Sequence, residues 1–175
     1  MHRRSELVRI ASLAVLALGC QPQRGSRAPD AALDVALPDL RGALVRPTPA
    51  SEGDVFVFAF WATWCQPCQQ ELAQMDRVLV PMSGRGLQLY AISIDGPDTA
   101  AQVAPWVERE GYDFPVLLDR ETQVLTRYNP RGDIPYYVVL DASGRVIDDH
   151  QGYMAGDVDT LAAELERLLP AAPAE

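Results

Sequence analysis

Hydrophobic positions along the chain alternate between continuous apolar runs and stripes at three- and four-residue steps. Residues 55–60 read Val-Phe-Val-Phe-Ala-Phe, an unbroken β-rich run that predicts a strand buried on both faces. Over 66–82 the pattern turns helical. Leu72, Met75, Leu79 and Met82 recur at three- and four-residue steps and make one apolar stripe, which Ser83-Gly84-Arg85-Gly86 brings to an end. Residues 87–94 predict the next strand, stopping at Asp95-Gly96-Pro97. A second helix is expected over 98–110, with Ala101, Ala104, Trp106 and Val107 for packing and Pro105 expected to kink or split it. A short strand over 114–118 and a short helix over 123–128 follow. Residues 136–140 and 145–149 predict two strands joined by a hairpin turn at Asp141-Ala142-Ser143-Gly144. A closing helix over 158–169 carries the stripe Leu161, Leu165, Leu168 and Leu169.

Strand–helix alternation that ends in an antiparallel hairpin predicts an α/β fold, a mixed central β-sheet with helices on both faces. In such a sheet the functional loops gather at the carboxyl ends of the parallel strands. The loop after Phe60 is one of those ends.

At 175 residues the chain has room for one ordinary domain and a leader. Residues 1–20 have the layout of an export signal. Arg3, Arg4 and Arg9 supply positive charge, the apolar stretch 10–18 is broken only by Ser12, and Gly19-Cys20 follows. That stretch is short for a membrane-spanning helix. Leu16-Ala17-Leu18-Gly19-Cys20 resembles a bacterial lipobox, although Ala17 stands where leucine is preferred. The expectation is a lipoprotein-type signal over 1–20, lipidated at Cys20, with an ordinary cleaved signal and an uncleaved anchor as its alternatives, and a Pro-, Gly-, Arg- and Ser-rich tether over 21–33. The domain would then span 34–170, with a disordered tail over 171–175. Lipidation would also account for the odd one of three cysteines. The net charge is −9 and every Lys-or-Arg position is arginine. An acidic chain with no basic run argues against nucleic acid as a partner, and against electrostatic attachment to an anionic membrane.

The chemistry concentrates at Cys65 and Cys68, two cysteines separated by Gln66 and Pro67 at the predicted start of a helix. Unpaired N–H groups and the helix dipole stabilise a thiolate there, lowering a thiol pKa from about 8.5 toward the 3.5–7.5 range. The thiolate is the nucleophile of disulfide exchange. Pro67 suits the first turn, where it forfeits no hydrogen bond. Cys65 is expected to attack, and Cys68, one turn deeper, to resolve the mixed disulfide. Two other readings stay open at this point. The pair is half of a zinc site, but no second such pair exists, and the histidines are His2, in the leader, and His150. Alternatively it is a structural staple, though so short a loop makes a poor one.

Trp64-Cys65-Gln66-Pro67-Cys68 resembles the WCxPC site of thioredoxin-like proteins. The preceding Phe60-Trp61-Ala62-Thr63 resembles the TlpA/ResA group of exported, membrane-tethered thiol–disulfide oxidoreductases. Tyr90 to Asp95, Phe114 to Asp119 and Asp133 to Asp141 resemble further segments of that group, so the likeness covers about 34–169. It implies a thioredoxin fold with Cys65 and Cys68 as the redox couple. It also implies a cis peptide at Ile134-Pro135 beside that couple, with Trp64, Pro67, Ile134 and Pro135 forming the substrate surface. Glu71 matches an acidic residue that the tethered group places near its thiols, where a carboxylate can raise thiol pKa values or relay a proton. Its alternative is a solvated helix charge. Ala59 departs from cytoplasmic thioredoxins, which carry a buried aspartate there, and this leaves Glu71 as the substitute. Trp61 is expected to shield the disulfide, and Trp106 to pack.

The expected protein is a periplasmic reductant of protein disulfides, tethered by lipidated Cys20 and supplied with electrons by a membrane-bound donor. Preparation of apocytochrome c thiols is the role the resemblance suggests. The two cysteines need no cofactor and no metal. Two rivals remain, a thiol peroxidase of peroxiredoxin type and a copper-delivery protein of thioredoxin fold. The first lacks a proline ahead of Thr63 in the loop, and the second would want more widely spaced cysteines with His150 as a further ligand.

Overall fold

The computed structural model describes residues 33–171. The expected leader with Cys20, residues 21–32 of the expected tether and residues 172–175 of the expected tail lie outside the described residues.

Two short strands, β1 (Leu37–Pro38) and β2 (Leu44–Val45), pair antiparallel around a turn that the sequence pattern did not signal. The Asp39 carboxylate holds that turn, accepting from the N–H groups of Arg41 and Ala43 at 2.8 and 2.9 Å. Then come β3 (Val55–Trp61), α1 (Gln66–Leu79), β4 (Leu87–Ser93), α2 (Val103–Glu110), β5 (Val116–Leu118) and α3 (Gln123–Tyr128). β6 (Tyr136–Asp141), β7 (Val146–Gln151) and α4 (Asp157–Leu168) complete the chain. The main sheet runs β5-β4-β3-β6-β7, with β3, β4 and β5 parallel and β6 and β7 antiparallel to their neighbours.

β3 is the central strand and is buried along its whole length. Its side chains alternate between two cores. Val55, Val57, Ala59 and Trp61 face α1, α2 and α4, while Phe56, Phe58 and Phe60 face α3 and the N-terminal segment. Helices therefore cover both faces, as expected of the mixed sheet. Leu33, assigned by the sequence to the end of the tether, is buried in the second core beside Val35 and Leu37.

Two helices start or stop where proline chemistry dictates. The helix expected over 66–82 is α-helical only to Leu79 and continues as a 3-10 segment, Val80–Arg85. Pro81 has no N–H to give to the carbonyl of Arg77, so the α-helical ladder cannot pass it. The helix expected over 98–110 is divided, but upstream of Pro105. A 3-10 turn, Ala100–Gln102, precedes α2, which begins at Val103. Starting there puts Pro105 in the first turn, where its missing N–H costs nothing. Near the hairpin, a bulge between Val139 and Leu140 shifts the register, and β7 runs two residues past the expected 149. That extension sets His150 opposite Tyr137 and Gln151 opposite Tyr136.

Candidate active site

Sheet register decides what meets at one end of the molecule. β3 ends at Trp61, the loop 62–65 crosses to α1, and Phe60 pairs with Tyr136, so the segment just before β6 lies beside the end of β3. Cys65 caps α1, with the Cys68 N–H directed at its Sγ at 3.3 Å, and the two cysteines are joined as a disulfide. Pro67 sits in the first turn. Cys65 retains 6% exposure and Cys68 none, the order expected of an attacking and a resolving thiol. The Cys68 N–H and the positive end of the α1 dipole favour negative charge on the Cys65 sulfur once the pair is reduced.

The Ile134–Pro135 peptide is cis. Its neighbourhood is tied down from β7, because the Pro135 carbonyl accepts from the Gly152 N–H and from Gln151 Nε2, both at 2.8 Å. Ile134 packs against the core that contains both cysteines. Trp64 precedes Cys65 and is 61% exposed, whereas Trp61 is fully buried against Trp106 with ring centroids 4.5 Å apart. An exposed aromatic side chain, Trp64, thus directly precedes a buried disulfide.

Glu71 is not a solvated helix charge. It lies on the buried face of α1 with Cys68, Leu72, Met75 and Leu79, and is 1% exposed. Its Oε1 is buried without a hydrogen-bond partner. Burial, with a smaller contribution from the negative charge of Asp157, pushes its pKa up to about 8. Asp157 opens α4 and is bound to His150 Nε2 at 3.1 Å, and the His150 ring stacks on Tyr137. Burial and the surrounding carboxylates push the Tyr137 hydroxyl pKa upward as well. At neutral pH the carboxyl beside the redox pair is therefore mostly protonated, and it holds a proton one helical turn from Cys68.

The sequence marks Thr63 only as part of the loop motif and Asp95 only as the end of a strand, and it singles out Gln69 for nothing. Asp95, just beyond β4, accepts from the Thr63 N–H at 2.9 Å and the Thr63 hydroxyl at 2.6 Å. Gln69 Nε2 donates to the Thr63 carbonyl at 2.7 Å. The available signal was an acidic residue closing an apolar strand at the loop-bearing end of the sheet. Thr63, the threonine that the peroxidase rival would use, donates its hydroxyl to Asp95. Among the described residues no group of three or more His, Cys, Asp or Glu side chains is placed to hold a metal ion.

Residues 25–149 match the AhpC/TSA family. The chain is 34% identical over 122 residues to the thiol-disulfide oxidoreductase ResA of Geobacillus kaustophilus. That alignment covers 70% of this chain and 66%, just under two thirds, of the relative. Among solved structures it is similar to a thiol:disulfide interchange protein of the thioredoxin family from Chlorobium tepidum. There the identity is 25%, the TM-score 0.61, and the coverage 74% of this chain and 91% of that one. StoA from Bacillus subtilis shares the fold at 19% identity and a TM-score of 0.59, covering 77% and 94% of the two chains.

Proposed function

The chain belongs to the AhpC/TSA family, and on that premise we propose that it is a thiol–disulfide oxidoreductase that reduces protein disulfides through Cys65 and Cys68. The observation that carries this reading is the position of the pair. A disulfide caps the first turn of α1, next to an exposed tryptophan and a cis-proline segment, with a protonated carboxyl beneath it. The Cys65 thiolate attacks a substrate disulfide, forming one S–S bond and expelling the substrate's other sulfur as a thiolate. Cys68 then attacks Cys65, releases the second substrate thiolate and closes the Cys65–Cys68 disulfide. Two electrons leave the protein thiols and two reach the substrate.

Each residue has a distinct part in this sequence. Glu71 in its ionised form, whose share grows toward pH 8, is placed to take the proton that Cys68 loses as it becomes a nucleophile, and to return it when the pair is reduced again. Trp64, Pro67, Ile134 and Pro135 form the contact surface for an extended substrate segment.

The finer reading places the protein in the bacterial periplasm, anchored through a lipid on Cys20, reduced by a membrane-bound donor and serving apocytochrome c. Its support is the charged, apolar and Gly19-Cys20 pattern of residues 1–20 together with the likeness to ResA.

The deciding experiment equilibrates the purified full chain with dithiothreitol and glutathione buffers. The redox state is read by alkylation and mass shift of the peptide bearing Cys65 and Cys68, alongside reduction of insulin disulfides. A potential near −250 mV or below, with insulin turnover, supports a reductant. A potential near −120 mV would make the protein a disulfide donor and overturn the reducing direction.

A further inference from the structure

Every polar group of Thr63 is engaged. Its N–H and hydroxyl go to the two oxygens of Asp95, and its carbonyl receives Gln69 Nε2 from α1. Asp95 is itself held. Ser93 Oγ donates to Asp95 Oδ2 at 2.9 Å, and the Asp95 N–H donates back to Ser93 Oγ at 3.1 Å. The carboxylate is 1% exposed, and among the described residues no cation pairs with it. A desolvated carboxylate without a counter-ion is unfavourable, and three donated hydrogen bonds are what offset that cost here.

What this arrangement secures is the turn delivering Cys65. The Ile94 N–H donates to the Trp61 carbonyl at 2.9 Å, so the end of β3 is stitched to β4 just before the turn. The Cys65 N–H closes the turn onto the Ala62 carbonyl at 3.0 Å. Thr63 lies between these two bonds, and nothing but Asp95 and Gln69 fixes its polar atoms. The Asp95 link spans 32 residues of sequence and joins the ends of two parallel strands.

We propose that Asp95 is a positioning residue for the redox pair, holding Thr63 so that the Cys65 sulfur stays within bonding reach of Cys68. Asp95 touches neither sulfur and acts through Thr63. The inference rests on the oxidoreductase reading only for the use to which the closed pair is put. Closure itself is a balanced exchange. With glutathione disulfide as the oxidant, the two protein thiols give up two electrons and two protons. One protein S–S bond forms, one glutathione S–S bond breaks, and two glutathione thiols result. The equilibrium constant of that exchange contains the effective concentration of one cysteine at the other, which a loosened turn lowers.

The test measures that equilibrium constant in the full chain, together with thermal unfolding. Asp95→Ala should lower the constant about tenfold, a potential about 30 mV less negative. Asp95→Asn should stay within about threefold of wild type. Its carbonyl can serve the Thr63 N–H and Ser93, and its amide can donate to a rotated Thr63 hydroxyl. Asp54→Ala is the control for general destabilisation. Asp54 is another buried carboxylate, bonded to Ala50 N–H, Ser51 Oγ and Gln88 Nε2 at the far end of β3. It should lower the unfolding temperature and leave the exchange constant unchanged. If Asp95→Ala does not fold, Thr63→Val should lower the constant while Thr63→Ser preserves it.

An Asp95→Ala protein, or failing that a Thr63→Val protein, with a wild-type constant would overturn the proposal. So would Asp95→Asn falling as far as Asp95→Ala, which would assign the effect to charge, or Asp54→Ala moving the constant equally. A wild-type pair that closes and depends on Asp95 but reduces no insulin would overturn the proposed function and support the positioning role.

Discussion

Cys68 and Glu71 lie one turn apart on the buried face of α1, and neither side chain has appreciable contact with solvent. The resolving sulfur and a carboxyl with a pKa near 8 thus share one desolvated environment. In such surroundings each group's charge is felt strongly by the other. Proton transfer between them avoids leaving both charged at once.

Glu71 also predicts how stability varies with pH. Its pKa is raised in the folded protein from an ordinary value of 4.5 to about 8, so the folded chain binds more protons across that window. The contribution of Glu71 to stability should therefore be full below about pH 4.5, fall as pH rises toward 8, and level off above, the total loss being on the order of a few kcal/mol. Glu71→Gln should remove this slope and be the more stable protein at pH 8.5. Urea unfolding at pH 5, 7 and 8.5 is the check, and parallel slopes in the two proteins would contradict it.

The same substitution should slow turnover. Glu71 accepts a proton only in its ionised form, so without it Cys68 resolves the mixed disulfide more slowly, by about 10- to 100-fold at pH 8 and above and by less at pH 7. The rate should also lose its dependence on pH around 8. Stopped-flow release of a fluorescent disulfide substrate measures this step directly.

The cysteines have separable roles. Cys65→Ser should abolish reaction with substrate disulfides. Cys68→Ser should complete the first attack and stall, so a mixed disulfide with Cys65 accumulates and is visible by mass. A mixed disulfide on Cys68 in the Cys65→Ser protein would reverse the assignment.

Two tryptophans near the site should behave oppositely. Trp64 is largely exposed, so Trp64→Ala should change stability by no more than about 0.5 kcal/mol and raise KM for a protein disulfide. Trp61 is fully buried against Trp106, and Trp61→Ala should cost about 3–5 kcal/mol. Thermal unfolding and insulin reduction, measured on both variants, separate the two effects.

Asp119 should matter for stability alone. Its carboxylate accepts from the N–H groups of Gln123, Val124 and Leu125 at the start of α3. Asp119→Ala leaves those donors unsatisfied and should cost about 1–2 kcal/mol, read by urea unfolding, with the thiol–disulfide equilibrium unmoved.

The sequence by itself determined the strand at 55–60, the helix that follows the cysteines and the cysteine pair at their junction. It also determined the alternation that makes a mixed sheet. Each is a local property, since a run of apolar residues or a stripe at three- and four-residue steps is visible within about a dozen positions. The two prolines that reset helix ends, Pro81 and Pro105, acted locally too, although where the α-helix yields to a 3-10 turn depends on which carbonyl loses its donor. The hairpin of β1 and β2 left no such trace, because two-residue strands are too short to show a period.

Only the tertiary structure decided the rest. Glu71 is polar by type, and although it shares a face of α1 with Cys68, Leu72 and Met75, only the packing of that face against the sheet and α4 takes it out of water. Thr63 and Asp95 are 32 residues apart and meet because β3 and β4 pair in parallel with Trp61 opposite Ser93. A one-residue slip of that register would point the strand residues the other way and part the loop from its acceptor. Register is set by the packing of both faces of the sheet at once, and that information is spread over the whole chain.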